Sequence, residues 1–548
     1  MKPDLAGLDP LDVNLATRTC VGDALARSAA IFADRPAVID HGEVVTYGAL
    51  DAAADAFATS LLEHGAQRQS AVTLLMGNSW RFIATYFACA RAGLVAMPLN
   101  VTLTTSDLAW IVNDARSTTL VVDDAWLGLL ERLLPELPNV TNVVIVGVGE
   151  VANTTADVTR WDALAAKAAP APRVLVEDRD TVQCLYTSGT TSRPKGVLVS
   201  HVSVLVAGLT NALMMEYRWG ATPSVLLNVL PLFHTTALNT LCLPVLFTGG
   251  TVVLPGPFDP RTVLGEIESR RVTHVMLLPM MWAAIVRELD ATAHDVDSVR
   301  RAIYAMAPMP RDLLDRVARA FNRADVILGS GQTEVVPATV LQWPEHRTSA
   351  PESWGPSVPT VMTRCLDPEG NVVPANETGE IAYRGPHVAS GYWNNRDANT
   401  AAFAHGWFHS GDVGHVDERG VVWFTDRLKD IIKSGGENVS SVDVERVVSS
   451  VPGVAESVIV GVPDPYWGEA VCAVIVPDGT VERAALPGAV IEYAKAHLAG
   501  FQVPKRVVVT SELPKTATGK TRKHEVRAWL SRVTGDGERN DVSGEAHQ

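Results

Sequence analysis

The chain has 548 residues, 47% of them hydrophobic and 20% charged, and a formal net charge of −15. That length exceeds what one core can organise, and the acidic balance argues against nucleic acid as a main partner, since phosphate backbones need a basic footprint. The six cysteines are scattered without a Cys-x-x-Cys pair, no signal-peptide pattern opens the chain, and no apolar run reaches the ~20 residues of a membrane span, so a soluble, cytoplasmic protein is expected.

In chain order, residues 1–20 read as an irregular lead-in. Ala24–Phe32 and Tyr47–His64 carry apolar residues at helical spacing, whereas Ala71–Met76, Thr118–Val122 and Val140–Val146 are β-branched runs suited to buried strands. The alternation predicts an α/β architecture with mostly parallel sheets. A further strand, Thr181–Tyr186, runs into Thr187-Ser-Gly-Thr-Thr-Ser-Arg-Pro-Lys195. The small residues of that stretch let the backbone turn tightly and offer N–H groups and hydroxyls to an anion, and Lys195 adds a point charge. It is not a Walker loop, because Gly-x4-Gly-Lys-Ser/Thr is absent; by itself it also reads as a solvated turn. Thr251–Leu254, a helix capped by Asp259 with Pro260 first, and Thr273–Leu278 make a βαβ crossover.

After about residue 355, glycines punctuate short strands at Gly379–Tyr383, Gly391–Trp393, Gly406–Phe408 and Gly420–Phe424, the pattern of a smaller β-rich unit. A new α/β pattern follows Asp426–Lys429: helix Val439–Ser449, strands Ala455–Val462 and Val471–Val476, and helix Val490–Leu498. The division expected is 1–20, 21–428 (β-rich about 355–428), 429–530, and a disordered tail at 531–548.

Several stretches carry chemistry. Pro231-Leu-Phe-His234 ends an apolar run in an imidazole; Gly329-Ser-Gly-Gln-Thr-Glu334 sets an amide, a hydroxyl and a carboxylate in a glycine turn after a strand. A carboxylate beside a triphosphate suits Mg²⁺, which takes hard oxygen ligands. Asp412 and Arg427 can serve ribose hydroxyls as acceptor and donor, and Lys520 follows a glycine turn near the C-terminus. Singly, each is also what a solvated turn, an exposed loop or a core histidine looks like; their joint order is the specific signal.

In that order, from about residue 20 to 530, the chain resembles the adenylate-forming superfamily of acyl-CoA synthetases, adenylation domains and luciferases, nearest its fatty-acyl-CoA-ligase-like branch. The resemblance implies an α/β fold: a large N-terminal domain of two mostly parallel sheets with helices plus a distorted β-barrel, and a small hinged α+β C-terminal lid. It implies an ATP- and Mg²⁺-dependent, AMP-forming ligase. A small-molecule acid becomes an acyl-adenylate with release of pyrophosphate and then passes to an acceptor, most often coenzyme A. By the same resemblance Thr187, Ser188, Gly189, Thr190, Thr191 and Lys195 cradle phosphates, with Thr190 among the catalytic residues. Gly331, Gln332 and Thr333 line the adenine and α-phosphate side. Asp412 and Arg427 hold ribose, Thr187 and Glu334 serve Mg²⁺, and Lys520 bridges carboxylate and α-phosphate. Lys429 is the hinge, and His234, Ala305, Met306 and Ala307 flank the acyl pocket. The chain departs from the family pattern at Ser192, Ser330, Ala237 and Met306. Met306 stands where a glycine normally leaves room for an acyl chain, so a small or aromatic acid is expected. Relatives in secondary metabolism that activate nitrite to diazotise an aryl amine, or that load a carrier protein, are the alternatives.

Overall fold

The computed structural model describes residues 4–152, 154–187, 193–306, 309–515 and 521–535. Among these, the strands form four sheets. The first has the spatial order Val340–Gln342, Asp325–Ser330, Arg301–Tyr304, His274–Leu277, Val225–Leu227, Thr251–Leu254, Pro36–Asp40, Glu43–Thr46. It is parallel throughout its middle and antiparallel only at its two edges. The second runs Gly391–Tyr392, Lys195–Ser200, Thr181–Thr187, Val95–Pro98, Ala71–Leu75, Thr119–Asp123, Asn142–Val146, Asp157–Arg160. Its first two pairings are antiparallel and the rest parallel. The near-continuous burial of strands such as Val95–Pro98 and His274–Leu277 is what parallel strands covered on both faces require.

One apolar cluster joins Val38 and Val252 of the first sheet to Val72, Leu74 and Val197 of the second, through the helices Val21–Phe32, Tyr47–Glu63 and Trp80–Arg91. The crossover helix Pro260–Arg270 begins at Asp259, whose carboxylate accepts from Thr262 N at 2.8 Å. Its two flanking strands are parallel but not adjacent, because Val225–Leu227 lies between them.

Three sequence expectations are corrected. The lead-in contains a helix, Pro10–Thr17, started by the Asp9 side chain on Leu11 N and by proline at its first position. It buries no residue, so no apolar periodicity advertised it; Asn14 fixes it instead by exchanging two hydrogen bonds with the Val176 backbone. The β-rich unit is not a barrel. Gly355–Pro356, Val421–Arg427, Phe408–Val416, Gly379–Arg384 and Met362–Leu366 form an open antiparallel sheet, and a two-residue edge strand offers no ladder on which to close it. The last helix, Lys523–Gly535, runs into the expected tail, held by Val526 and Leu530 against Val458 and Val460.

From Ile432 onward the strands form a separate sheet: Ile432–Ser434, Glu437–Val439, Val454–Asp464, Gly468–Pro477 and Arg506–Val509. Within Val454–Asp464, Ile459 faces a core with Val444 and Val490, while Val458 and Val460 face the one with Val526. This is the alternation of a strand covered on both sides. Among the described residues no helix is long and apolar enough to cross a membrane, and all six cysteines are free and buried.

Candidate active site

The chain leaving the carboxyl ends of Val225–Leu227, Arg301–Tyr304 and Asp325–Ser330 carries, in turn, His234, Ala305–Met306 and Gly331–Glu334. Parallel strands of one sheet therefore deliver these stretches to the same edge, where open α/β sheets bind ligands. In the second sheet Thr181–Thr187 and Lys195–Ser200 are antiparallel neighbours, with Thr187 opposite Lys195. The residues between them, Ser188, Gly189, Thr190, Thr191 and Ser192, lie outside the described residues, as do Ala307 and Lys520.

Lys195 and Glu334 meet at a residue the sequence did not single out. Gly391–Tyr392 was expected in the β-rich unit but pairs with the far side of Lys195–Ser200, Tyr392 opposite Val197. The Tyr392 hydroxyl donates to Glu334 Oε1 at 3.0 Å, and the Lys195 ammonium lies over the same ring, 5.1 Å from its centre. Burial and the adjacent Glu334 carboxylate push the Tyr392 phenol well above its ordinary pKa. The Glu334 turn is anchored by Ala389 N, which donates to Glu334 O at 2.8 Å. Within that turn Gly331 is required by close approach, since a Cβ there would stand 2.7 Å from Pro337 Cβ; Ser330, Gln332 and Thr333 beside it are half-buried. Asp114 braces the other flank: its carboxylate accepts from Tyr186 Oη at 2.7 Å and its carbonyl from Trp393 Nε1 at 2.8 Å.

Asp412 and Arg427 face each other across an antiparallel pair, Arg427 Nε 2.7 Å from Asp412 Oδ1. The carboxylate is 5% exposed and the guanidinium 33%, so the pair presents its cationic side outward. Two residues on, Lys429 sits where the chain turns from Val421–Arg427 to Ile432–Ser434, with Asp430 N and Ile431 N both donating to Arg427 O. Burial lowers the Lys429 pKa, opposed by Asp430.

His234 is half-buried, its Nδ1 has no hydrogen-bond partner among the described residues, and burial lowers its pKa, which favours the neutral imidazole. It precedes a buried π-helical segment, Thr236–Cys242, that includes Ala237 and Asn239. Asn239 and Gln183 exchange amide hydrogen bonds at 2.9 Å in both directions, Thr235 Oγ1 donates to Asn239 Oδ1, and Tyr86 Oη donates to Gln183 Oε1. The strand ending at Thr187 is thereby tied to the helix that follows His234. Ala305 is buried; Met306 is half-buried at φ 71, a left-handed conformation that favours glycine.

Among the described residues no group of three or more His, Cys, Asp or Glu could hold a metal ion. The Thr187 hydroxyl and the Glu334 carboxylate are a sparse set of hard oxygens. Such a set fits Mg²⁺, which keeps several waters and takes its remaining ligands from substrate phosphates.

Two family models match the chain: AMP-binding enzyme over residues 25–393 and AMP-binding enzyme C-terminal domain over 443–520. A feruloyl-CoA synthase of Amycolatopsis sp. is 35% identical over 495 residues, which are 90% of this chain and 95% of the relative. An indoleacetate–CoA ligase of Aromatoleum aromaticum is 32% identical over 493 residues, 89% and 94% of the two chains. Among solved structures, o-succinylbenzoate coenzyme A synthetase of Bacillus subtilis in complex with ATP and a magnesium ion superposes with a TM-score of 0.79. It is 28% identical, and the match covers 93% of this chain and 99% of that one.

Proposed function

The chain belongs to the AMP-binding enzyme family, and on that premise we propose that it joins a small or aromatic carboxylic acid to coenzyme A through an acyl-adenylate. Attack of the acid's carboxylate on the α-phosphorus of ATP expels pyrophosphate; attack of the coenzyme A thiolate on the acyl carbon then expels AMP. The first step is needed because a carboxylate would otherwise have to lose oxide or hydroxide, and AMP is a far better leaving group. Such transfers are governed by positioning and charge stabilisation.

In this reading the stretch from Thr187 to Lys195, with Ser188, Gly189, Thr190 and Thr191, cradles the phosphates. Asp412 and Arg427 orient ribose, Gly331, Gln332 and Thr333 line the adenine and α-phosphate side, and Lys520 stabilises charge developing between carboxylate and α-phosphate. Thr187 and Glu334 hold Mg²⁺, which when bound neutralises phosphate charge. Residues 429–530 act as a lid hinged at Lys429, and His234, Ala305, Met306 and Ala307 bound the acid. The observation that carries the reading is the convergence of Lys195, from a strand of the second sheet, and Glu334, from the turn after a strand of the first, on one tyrosine, 5.1 Å from its ring centre and 3.0 Å from its hydroxyl. Two relatives named for aromatic acids support the substrate class.

The test is pyrophosphate and AMP release over a panel of benzoic, cinnamic, arylacetic and straight-chain acids, with and without coenzyme A. Acid-dependent pyrophosphate release and a coenzyme A-dependent thioester are the expected results. Turnover that instead needs nitrite plus an aryl amine, or that transfers only to a carrier protein, overturns the assignment.

A further inference from the structure

We propose that Tyr392 is a positioning residue that keeps Lys195 and Glu334 apart and separately available to magnesium–ATP. The inference rests on the assignment of those two residues to the nucleotide. An ammonium and a carboxylate brought to one site would ordinarily close into an ion pair, each removing the other from use. Here they form no salt bridge with each other among the described residues. The tyrosine stands between them: its hydroxyl satisfies one oxygen of Glu334 and its π-face attracts the Lys195 cation. One side chain thus holds both charges without neutralising either.

The ring can do this because its backbone is fixed from several directions. Tyr392 lies opposite Val197 in the strand that begins at Lys195, so its distance from that lysine is set by the sheet. Its N–H donates to Asn399 Oδ1 at 2.7 Å, and Asn399 Nδ2 donates to its carbonyl at 2.9 Å. The next residue is held twice, Trp393 N on Gly196 O at 2.7 Å and Trp393 Nε1 on Asp114 O at 2.8 Å. Gly391 has φ 145, and a Cβ there would lie 2.9 Å from Asn399 Oδ1, so the short strand is shaped to admit the clamp.

Binding of ATP, measured by titration calorimetry over a range of magnesium concentrations with neither acid nor coenzyme A present, separates the roles. Tyr392→Phe keeps the ring and removes the hydroxyl. The magnesium midpoint for ATP binding should rise about 10-fold, the loss of one hydrogen bond to a charged group, while ATP affinity at saturating magnesium changes less than threefold. Tyr392→Leu removes the ring as well and should weaken ATP binding at every magnesium concentration. Glu334→Gln should raise the magnesium midpoint, and adding Tyr392→Phe to it should change nothing more. If Glu334→Gln leaves the midpoint in place, the metal assignment of Glu334 falls and this proposal with it. If Glu334→Gln shifts the midpoint and Tyr392→Phe does not, the positioning role alone is wrong. If the two shifts multiply in the double variant, Tyr392 acts through something other than Glu334, and the proposal is likewise overturned. Unchanged thermal unfolding of Tyr392→Phe identifies a folded variant, and a magnesium shift in that protein is not a stability effect.

Discussion

Replacing Met306 by glycine tests the substrate class at the residue placed against the acid. Met306 has φ 71, and an L-residue in that conformation costs about 1 kcal/mol relative to glycine. Its half-buried side chain contributes about 1 kcal/mol of apolar burial. The two terms oppose, so Met306→Gly should leave stability within about 1 kcal/mol of wild type. Met306→Val loses packing and places a β-branched residue at positive φ, and should cost about 2 kcal/mol. The functional effect is larger. Each methylene newly admitted to an apolar pocket is worth about 0.8 kcal/mol, so three added methylenes should gain ~50-fold in relative kcat/KM. The assay is competition between benzoate and phenylalkanoates of increasing length, wild type against Met306→Gly, alongside urea unfolding. A folded glycine variant with the wild-type length preference would refute the placement of Met306 against the acid.

Burial pushes Asp123 from 3.8 up to about 6, opposed by the hydrogen bond donated by Gly77 N at 2.6 Å. Because the native pKa lies above the unfolded one, the native state binds the extra proton between those values, and this group's contribution falls as pH rises from about 4 to 6. Asp123→Asn should therefore gain on wild type across that window, by at most about 3 kcal/mol, and hold a constant advantage above it; paired urea midpoints at several pH values check this, and a pH-independent difference contradicts it. Asn239→Leu strands the fully buried Gln183 amide and should cost about 2 kcal/mol. Removing the Tyr86, Gln183 and Asn239 polar groups together, in Tyr86→Phe/Gln183→Leu/Asn239→Leu, leaves only the Thr235 hydroxyl of the network and should recover most of that, and a triple variant no more stable than the single would be the contrary result in thermal unfolding. Lys520→Ala should reduce acyl-adenylate formation at least 100-fold while ATP still binds by calorimetry; an unchanged adenylation rate removes its assigned role.

The α/β class, the crossover around Pro260–Arg270 and the β-branched strands were legible because periodicity and caps are local properties of the chain. Sheet membership was not. Tyr392 sits in a two-residue strand that leaves the β-rich stretch to join the sheet carrying Lys195, and no period of two or 3.6 encodes that choice. The same limit hid the Gln183–Asn239 pair, whose partners lie 56 residues apart. Asn239 lies among apolar residues in the sequence, and in the fold it is the hydrogen-bonded centre of a buried helix. The helix Pro10–Thr17 was missed for the opposite reason: it has caps but no buried face. Asp412 and Arg427 were visible as charged residues, but only the strand register shows them paired.

In acyl-adenylate formation the acid's own carboxylate oxygen bonds to the α-phosphorus of ATP. That bond is followed with a carboxylic acid labelled with ¹⁸O in both carboxylate oxygens, turned over to completion with ATP, Mg²⁺ and coenzyme A. AMP should carry one ¹⁸O atom, pyrophosphate none, and the thioester should retain the other. Unlabelled AMP, or label in inorganic phosphate accompanied by ADP, would contradict formation of that bond.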